Sequence, residues 1–462
     1  MKQYHHFHPS ILREYDIRGI YEKTLSEADA KAVGQCFGYI IKQNKGTTVA
    51  LGKDGRLSSD SLEDALIKGL QEAGVDVIRL GLCPTPLLYY AVKELPTDGG
   101  IMITGSHNGG TFNGFKMTLK DRPFYGKDIQ TFQDIIKEFS VSKTLGTIFD
   151  QDIKSSYENR LLQDYHGKSL KVVWDMGNGS AGPIIKPLID KLKGDHILLF
   201  EDVDGHFPNH HPDPTQKENL EILKDRVLHE KADLGIAFDG DGDRIGVIDN
   251  RGNFWLGDYL MILFSREVLS QRPHSKIIMD IKASDVLVED IKNHGGVPLM
   301  VPTGHSLIKA QMAITHAPLA GETSGHIFFA DHYYGFDDAL YAAIRLLNIV
   351  SNLPHSLAHV YESLPDVHNT PELRIPCDNV RKQEVVNDIK ERLLQDPLSD
   401  VLTIDGVRVK TKDGWWLLRA SNTEEVLVCR CESSTVQGLE NLKETVKHQL
   451  RLSHLSVPEK VL

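Results

Sequence analysis

The chain has 462 residues, of which 40% are hydrophobic and 25% charged, the proportions of a globular protein rather than a mainly disordered one. Lys and Arg number 52 against 64 Asp and Glu, and the formal net charge of −12 disfavours nucleic acid or an anionic membrane as a general partner. At ~150 residues per domain, the length predicts about three domains and accommodates four. An anionic ligand would therefore need a local basic cluster that opposes the charge of the whole chain.

The sequence indicates a cytoplasmic protein without a membrane partner. No apolar stretch approaches the ~20 residues of a membrane helix, and the polar, His-rich residues 1–10 lack the apolar core of a secretory signal. The five cysteines are odd in number and form no CxxC pair, so we expect free thiols in a reducing compartment. Cys429 and Cys431, two apart in a strand-like run, are expected to share one face of it.

Strand-like and helix-like segments alternate through residues 1–360, which is typical of α/β layers with mixed, mostly parallel sheets. Strands are predicted at 48–52, 75–80 and 100–104 in a first block, at 171–176, 197–200, 234–238 and 245–248 in a second, and at 276–280, 297–301 and 319–322 in a third. Helices are predicted at 26–43, 59–73, 258–270 and 285–294. Three such blocks in succession predict three tandem, similar α/β domains, although no residue-level repeat proves a duplication.

The C-terminal part has a different pattern. Residues 352–371 contain three prolines and are interpreted as a linker. Predicted strands at 402–410, 414–420 and 426–432, followed by a helix at 437–451, indicate a smaller α+β domain. The predicted domain limits are 1–150, 151–255, 256–368 and 369–462.

A polar, Gly-rich segment follows the last predicted strand of the first block. It reads Thr104-Gly105-Ser106-His107-Asn108-Gly109-Gly110, and Asn113-Gly114-Phe115-Lys116 comes next. Open α/β sheets place ligand loops at the C-terminal ends of strands, so Ser106 is a candidate nucleophile or phosphate carrier. The glycines of a hydrolase elbow and the Gly-Lys-Ser/Thr of a P-loop are both absent. The alternative is a structural turn with a capping serine.

An acidic loop, Asp239-Gly240-Asp241-Gly242-Asp243-Arg244, directly follows the predicted strand 234–238. Three carboxylates at alternate positions of a tight loop repel one another, and a hard cation such as Mg²⁺ relieves that repulsion. A calcium EF-hand is disfavoured, since it requires Gly at the position of Arg244 and Glu at that of Asn250. Arg244 indicates a second anion beside the metal, such as a phosphate. The alternative is a solvated acidic turn.

Two later loops carry groups that suit a sugar phosphate. Gly321-Glu322-Thr323-Ser324-Gly325-His326 offers a carboxylate for two adjacent hydroxyls and a histidine for acid–base chemistry. Arg419-Ala420-Ser421-Asn422-Thr423 offers a guanidinium, hydroxyls and an amide for a phosphate. Alone, each loop is equally compatible with an ordinary polar turn.

One segment points to another class of enzyme. Gly177-Asn178-Gly179-Ser180-Ala181-Gly182 matches G-x-G-x-x-G after a predicted strand, as in NAD-dependent oxidoreductases. Such an enzyme explains neither the acidic loop nor the serine loop. We favour a tight strand-to-helix turn whose glycines permit close packing.

Together with Arg13-Glu14-Tyr15-Asp16-Ile17-Arg18-Gly19 near the N-terminus, these segments resemble the α-D-phosphohexomutase superfamily, and most closely its bacterial phosphomannomutase/phosphoglucomutase group. The resemblance spans the whole chain, with the signature loops in the family's order. It implies three similar α/β domains and a smaller C-terminal α+β domain around one central cleft. Gly109 and Glu425 depart from the family pattern, which commonly has proline at both places, and this affects loop rigidity rather than ligand contacts.

The resemblance also implies roles for the residues of the loops. Ser106 is expected to carry a phosphoryl group and, with Asp239, Asp241 and Asp243, to hold one Mg²⁺ per chain. The expected catalytic residues are Ser106, His107, Arg18, Lys116 and His326. The expected substrate-binding residues are Tyr15, Arg18, Arg244, Lys282, His305, Glu322, Thr323, Ser324, His326, Arg419, Ser421, Asn422 and Thr423.

The implied reaction converts hexose 6-phosphates and hexose 1-phosphates of mannose and glucose into one another. Phosphoserine 106 donates its phosphoryl group, and a hexose 1,6-bisphosphate turns within the cleft and returns the other phosphoryl group. A phosphoglucosamine mutase is the nearest alternative, disfavoured because its relatives usually carry Gln and Ala where Thr323 and Gly105 stand. A catalytically silent sugar-phosphate binding protein is another. The expected partners are small-molecule hexose phosphates, and the expected state is a monomer or weak homo-oligomer.

Overall fold

The computed structural model describes residues 4–395, 400–422 and 424–455 of the chain. They form three α/β domains in succession and a smaller α+β domain, as the sequence pattern predicts. The predicted strands and helices of the first 350 residues agree with the observed ones to within three residues at each end.

Domain I is a mixed sheet with helices on its faces. Its elements in chain order are β1 (Ile17–Ile20), α1 (Glu27–Gln43), β2 (Thr48–Lys53), α2 (Ser59–Glu72), β3 (Asp76–Leu82), α3 (Thr85–Glu94), β4 (Gly99–Ile103), β5 (Phe112–Leu119), β6 (Pro123–Phe124), α4 (Lys127–Gln130), α5 (Phe132–Glu138) and β7 (Ile148–Asp150). The strand order is β1-β5-β4-β2-β3-β7, with β6 on β5. Strands β4, β2, β3 and β7 are parallel, and β5 is antiparallel to β4.

Domain II repeats this plan on a smaller scale. It contains α6 (Lys154–Leu162), β8 (Leu170–Asp175), α7 (Gly182–Ile189), β9 (Gly194–Leu199), a 3-10 turn at Lys217–Leu220, α8 (Glu221–Glu230), β10 (Leu234–Phe238), β11 (Ile245–Asp249) and β12 (Phe254–Trp255). The strand order is β12-β11-β10-β8-β9, in which β11 is antiparallel to the parallel strand β10.

Domain III follows with α9 (Gly257–Gln271), β13 (Lys276–Asp280), α10 (Asp285–Asn293), β14 (Val297–Val301), α11 (His305–Thr315), β15 (Leu319–Gly321), β16 (Ile327–Phe329), α12 (Ala339–Asn352) and α13 (Leu357–Ser363). The strand order is β14-β13-β15-β16, and β16 is antiparallel to β15. The interpretation of residues 352–371 as a plain linker was wrong, because α13 lies within it and Ser356 caps the helix by accepting from the His359 amide.

Domain IV is an antiparallel sheet covered by two helices. Its elements are β17 (His368–Asn369), β18 (Leu373–Pro376), α14 (Arg381–Leu394), β19 (Asp400–Leu402), β20 (Val407–Thr411), β21 (Gly414–Ala420), β22 (Val426–Ser433) and α15 (Val436–Leu452). The sequence prediction omitted β18 and α14. It was also wrong to join residues 402–410 into one strand, since a turn through Gly406, at a φ of 78°, separates β19 from β20.

Packing ties the first three domains into one body. A single hydrophobic core contains side chains of all three, for example Leu87 of α3, Trp174 of β8 and Leu340 of α12. Domain IV has its own core, in which Cys429 and Cys431 lie together on one face of β22 as predicted. All five cysteines are free and buried. Among the described residues, no helix has the length and apolarity needed to cross a membrane.

Candidate active site between the four domains

Ser106 lies in the turn between β4 and β5. Its φ of 48° is in the left-handed region, which costs a non-glycine residue about 1–3 kcal/mol and must be held by surrounding contacts. The Ser106 amide donates to Thr104 Oγ1 at 2.8 Å. The Ser106 hydroxyl donates to Asp239 Oδ2 at 2.9 Å, so the strained turn directs this hydroxyl at the acidic loop of domain II.

A buried guanidinium, that of Arg56, holds the serine turn from behind. Asp54 orients it by accepting from Nε at 3.0 Å. The two terminal nitrogens of Arg56 donate to four backbone carbonyls of the serine segment, which belong to Ser106, Asn108, Gly109 and Phe112. Sequence reasoning missed Arg56, because these partners lie 50 to 56 residues further along the chain.

The acidic loop connects β10 to β11, and its three aspartates are fully buried. Carboxylate oxygens of Asp239, Asp241 and Asp243 lie within 4.8 Å of one another. Lys116 of β5 donates to Asp241 Oδ2 at 2.7 Å and also contacts Asp243. Thr85, at the start of α3, donates to the same oxygen of Asp241 at 2.5 Å. Lys116 therefore bridges two of the three carboxylates, while Asp239 accepts from the Ser106 hydroxyl and from backbone amides of its own loop.

Burial and mutual repulsion control the protonation of this cluster. Burial raises the pKa of Asp239 well above its ordinary value, and the charges of Asp241 and Asp243 raise it further. Burial acts on Asp241 in the same direction, but the Lys116 ammonium outweighs it and holds the pKa of Asp241 below its ordinary value. The cluster is therefore short of positive charge, and one more cation is what allows all three aspartates to ionise.

The donor atoms fit a hard divalent cation. Asp241 Oδ1 and Asp243 Oδ1 are buried and have no hydrogen-bond partner among the described residues. Buried, unpaired carboxylate oxygens are costly unless a cation or donor meets them. The Ser106 hydroxyl adds a neutral oxygen beside Asp239, and oxygen-only donor sets suit Mg²⁺. The structure thus brings together the four residues predicted as metal ligands.

The predicted sugar loop connects β15 to β16 and is tied to its own domain. Glu322 is buried, and its two carboxylate oxygens accept from the Gly304 amide at 2.6 Å and from Ser324 Oγ at 3.4 Å. Thr323 Oγ1 donates to Asp280 Oδ2 at 3.2 Å, at the end of β13. Glu322 thus offers a rigidly held carboxylate to a ligand in the cleft.

Two histidines of domain III lie side by side at the same place. His326 Nε2 accepts from Arg244 Nε at 3.0 Å, and the ring of His305 stacks on that of His326 with 5.5 Å between centroids. Burial lowers the pKa of His305 well below its ordinary value, and the nearby Lys309 ammonium lowers it further. His305 is therefore an uncharged ring at neutral pH.

His107 and Arg18 flank the serine. His107 Nδ1 lies 3.3 Å from Asp213 Oδ2, yet burial and the Arg244 charge lower the pKa of His107 to about 3, so the ring is neutral. Arg18, at the antiparallel edge strand β1, donates to Asn108 Oδ1 at 2.6 Å. Asp213 is a second residue that sequence reasoning missed, because it lies in a long loop without a local motif.

The predicted phosphate loop begins where β21 ends. Arg419 is buried and donates through Nε to Asp405 Oδ2 at 2.9 Å. The Asn422 side-chain amide donates to the Tyr15 hydroxyl, which in turn donates to the Thr303 carbonyl at 2.6 Å. These contacts join domains IV, I and III at one rim of the cleft.

The remaining predicted residues lie next to this loop. Ser421 Oγ accepts from the Glu424 amide at 3.1 Å, and Thr423 lies outside the described residues. Lys282, from the end of β13, lies 3.1 Å from a carboxylate oxygen of Glu372 in domain IV. The Lys282 ammonium holds the pKa of Glu372 at about 2. Sequence reasoning missed Glu372, whose partner lies 90 residues earlier.

One cleft of about 970 Å³ reaches the serine, sugar and phosphate loops, whereas Asp239, Asp241 and Asp243 lie behind its wall. Of the predicted residues it is lined by Tyr15, Arg18, Ser106, His107, Lys116, Arg244, Lys282, His305, Glu322, Thr323, Ser324, His326, Arg419, Ser421 and Asn422. Five of them are Lys or Arg, which is the local basic cluster that an anionic ligand requires in this acidic protein.

A hydroxyl nucleophile beside a carboxylate metal site, inside a cleft that four domains enclose, is an arrangement for transferring a charged group away from bulk water. By class, the chain is therefore an enzyme of group transfer.

The chain belongs to the phosphoglucomutase/phosphomannomutase family. Residues 9–140, 149–252 and 256–368 match the family's alpha/beta/alpha domains I, II and III, and residues 372–449 match its C-terminal domain. This confirms both the resemblance and the predicted fold class.

Relatives with assigned names agree with the domain matches. The phosphomannomutase/phosphoglucomutase of Pseudomonas aeruginosa is 42% identical over 450 residues, which cover 97% of each chain. The phosphoglucomutase of Neisseria meningitidis serogroup A is 39% identical over 441 residues, covering 95% of this chain and 96% of its own. A crystal structure of a phosphoglucomutase/phosphomannomutase family protein from Burkholderia thailandensis superposes with a TM-score of 0.91 at 39% identity, covering 97% of this chain and 98% of that one.

Proposed function

We propose that this protein is a hexose-phosphate mutase that interconverts the 6-phosphates and 1-phosphates of mannose and glucose. The observation that carries the proposal is the Ser106 hydroxyl, held at a strained φ and bonded to Asp239 at 2.9 Å, in a cleft whose predicted residues include five Lys or Arg side chains. The names of the relatives from Pseudomonas and Neisseria support the substrate class. The reaction is an isomerisation, because the phosphoryl group lost from Ser106 is regained from the other end of the sugar.

In the proposed reaction Ser106 carries a phosphoryl group. A hydroxyl of the bound hexose phosphate attacks the phosphorus atom, and the bond from phosphorus to Ser106 Oγ breaks. The resulting hexose 1,6-bisphosphate turns in the cleft, and its other phosphoryl group returns to Ser106. Arg244 and Lys116 lie next to the transferred group and offset its charge.

We assign the other residues from their positions. Asp239, Asp241, Asp243 and Ser106 would hold the cation, which when bound supplies charge neutralisation for the phosphoryl group. Glu322, Ser324 and His305 would bind sugar hydroxyls, while Arg419, Ser421, Asn422, Lys282 and Tyr15 would bind the phosphate that is not reacting. Thr323 belongs to the sugar loop and would line the cleft beside the sugar. Thr423 is assigned to phosphate binding from its place in the sequence of the phosphate loop alone.

The hydroxyl proton needs an acceptor, and His326 is the candidate we favour over Lys116 and Arg18. Lys116 and Arg18 are poor acceptors because both keep their proton. The three aspartates outweigh burial and raise the pKa of Lys116, and a guanidinium does not deprotonate in proteins. The Nε2 atom of His326 accepts from Arg244 Nε, so it presents a lone pair at the cleft wall that can take a proton. His107 is assigned a role beside Ser106 as a neutral donor or acceptor.

The same proposal covers the properties that depend on the reaction. The cation would be one Mg²⁺ per chain, and hexose 1,6-bisphosphate would act as intermediate and activator. The protein would work in the cytoplasm as a monomer or weak homo-oligomer, with domain limits at 150, 255 and 368.

A coupled assay tests this function. It compares mannose 1-phosphate, glucose 1-phosphate and glucosamine 1-phosphate with Mg²⁺ and a trace of hexose bisphosphate, for the wild type and for Ser106→Ala. We expect turnover of the first two substrates and loss of at least about 1,000-fold in the variant, since the covalent carrier is gone. Ser265→Ala is the matched control, because Ser265 is equally buried but lies in α9 without a side-chain partner among the described residues.

Intact mass provides a second readout. The wild type incubated with hexose bisphosphate gains one phosphoryl group, and Ser106→Ala gains none. Normal turnover by Ser106→Ala would reject the covalent mechanism. A preference for glucosamine 1-phosphate would instead favour the phosphoglucosamine mutase, and binding without turnover would identify a silent sugar-phosphate binding protein.

A further inference from the structure

Behind His326, away from the cleft, lies a fully buried carboxylate that none of the loop motifs includes. Asp337 stands between β16 and α12, and its Oδ2 lies 3.1 Å from His326 Nδ1. Both atoms are buried and lack a hydrogen-bond partner among the described residues, so their 3.1 Å approach is a close contact rather than an aligned hydrogen bond. The next carboxylate oxygen to His326 Nδ1 is Asp243 Oδ1, at 3.5 Å, which is one of the oxygens that would face the cation. Asp337 is therefore the group best placed to accept a proton from this nitrogen.

The opposite nitrogen of the ring fixes the tautomer. Arg244 Nε, which always carries a hydrogen, donates to His326 Nε2 at 3.0 Å. Nε2 must then present a lone pair, so the single hydrogen of the neutral ring is on Nδ1, between the two carboxylates. A substrate hydroxyl that replaces the Arg244 contact meets the same lone pair. A base whose second nitrogen is held by a buried carboxylate is the arrangement found where histidines accept protons.

The position of Asp337 is itself secured by a cation. Lys309 of α11 donates to Asp337 Oδ1 at 2.8 Å, and its ammonium lies 4.2 Å from the centre of the Tyr89 ring. This pairing offsets the cost of burying the carboxylate and leaves the other oxygen for His326. His305 Nδ1 lies 3.5 Å from that same oxygen and accepts from the Lys309 ammonium at 3.2 Å, so Lys309 contacts both Asp337 and His305.

We propose that Asp337 is a positioning residue for proton transfer, which holds His326 with its Nε2 lone pair toward the cleft. The inference rests on the proposed function. As the substrate oxygen bonds to phosphorus and the bond from phosphorus to Ser106 Oγ breaks, the hydroxyl proton moves to His326 Nε2. The Nδ1 hydrogen stays on the ring and continues to face Asp337 Oδ2, so the ring keeps the orientation that presents Nε2. In the return half, Ser106 Oγ bonds to the other phosphorus atom, the bond from that phosphorus to the sugar oxygen breaks, and the sugar oxygen takes the proton back from Nε2.

A double-mutant cycle tests this inference in the full-length protein. Asp337→Asn keeps the shape of the side chain but removes its charge and allows the amide to face Nδ1. We expect kcat to fall about 100-fold with KM changed less than about threefold. His326→Ala is expected to lose at least as much. Because Asp337 acts through His326, adding Asp337→Asn to His326→Ala should cause no further loss.

The adjacent residue provides a matched control. Asp338 is also buried, but it accepts from the hydroxyls of Tyr157 and Tyr333 and caps α12 at the Tyr341 amide. Asp338→Asn is expected to lower Tm while kcat stays within about twofold of the wild type. Lys309→Gln removes the cation that pairs with Asp337 and that also contacts His305 Nδ1, while the His326 side chain is unchanged. It is expected to lower kcat by a smaller factor, and the part of the loss that acts through Asp337 disappears in the His326→Ala background.

Either of two results overturns the inference: wild-type kcat in folded Asp337→Asn, or an equal further loss when Asp337→Asn is added to His326→Ala. If Asp337→Asn does not fold, the effect of Lys309→Gln on kcat is compared between the wild-type and His326→Ala backgrounds, and an equal loss in both overturns the inference. The wild-type rate tests the proposed function separately. If the wild type turns over hexose phosphates and Asp337→Asn does so equally fast, the role of Asp337 is rejected and the proposed function stands.

Discussion

Ser106 Oγ lies 2.9 Å from Asp239 Oδ2, although the two residues belong to different domains and are 133 positions apart. The contact exists only when the loop after β4 meets the loop after β10. The shared core of domains I, II and III makes that meeting rigid, since its side chains interlock across both boundaries. The nucleophile and the metal site are thus assembled by domain packing rather than by either loop alone.

Asp241→Asn is expected to weaken Mg²⁺ binding more than it lowers the stability of the fold. The variant loses one of the two buried oxygens without a hydrogen-bond partner and places an amide where the cation needs a carboxylate. We expect the Mg²⁺ concentration for half-maximal activity to rise at least about tenfold. Titration calorimetry and metal-dependent kinetics both measure the change.

Asp249→Asn is the control for that experiment. Asp249 is a buried carboxylate of β11 that accepts from Asn253 and from the Trp255 ring nitrogen. It lies outside the trio of Asp239, Asp241 and Asp243. Its variant should lower Tm and keep the wild-type Mg²⁺ dependence. An unchanged Mg²⁺ dependence in Asp241→Asn would show that the trio is not the metal site.

Arg56→Lys is expected to lower kcat about 10- to 100-fold while leaving Mg²⁺ affinity near that of the wild type. A lysine cannot donate to four carbonyls at once, so the turn that carries Ser106 shifts, and a displacement of about 1 Å suffices for a loss of this size. Arg345→Lys is the comparison, because Arg345 is a buried guanidinium paired with Asp331 away from the cleft. Equal kcat values for the two variants would contradict a specific role of Arg56.

Much of this site was predictable because its loops are local motifs. The serine, acidic and sugar loops each join a parallel strand to its antiparallel neighbour, β4 to β5, β10 to β11 and β15 to β16. This shared topology is the repeat that residue-level comparison of the three blocks did not reveal. Strand ends with polar side chains are visible in a sequence, so the loops could be located before the structure.

The supporting residues were not predictable in the same way. Arg56 and Thr85 contact the site across 50 and 156 residues of chain, and Asp337 contacts His326 from outside the sugar loop; each stands in a segment without a distinctive pattern. The Gly179 turn shows the opposite case, in which a motif suggested a cofactor but packing explains it. A Cβ on Gly179 would lie 2.8 Å from the Gly240 carbonyl, so the glycine lets this turn support the acidic loop.

Gly109 and Gly110 are expected to respond in opposite ways to alanine. A Cβ on Gly109 meets nothing within 4 Å, whereas one on Gly110 would lie 2.5 Å from the Gly205 carbonyl. Gly109→Ala should therefore keep kcat and stabilise the fold by about 0.4–1 kcal/mol, because it restricts the unfolded chain. Gly110→Ala should lower both Tm and kcat, since the serine turn must move away from domain II. Similar Tm values for both variants would contradict this account of the loop.

The ion pair of Lys282 and Glu372, which joins domains III and IV, predicts a pH-dependent stability. The folded protein holds the pKa of Glu372 at about 2, against an ordinary value of 4.5. A carboxyl whose pKa is lowered on folding stabilises the protein fully above its ordinary pKa, and the stabilisation is lost as pH falls toward the folded value. The Tm difference between wild type and Glu372→Gln should therefore be constant at neutral pH and shrink below about pH 4.5. Calorimetry from about pH 7 to about pH 3 measures it. In a Lys282→Gln background the shrinkage should be smaller, with the pair of Arg374 and Glu372 left in place. A Tm difference that grew on acidification would contradict the assigned ion pair.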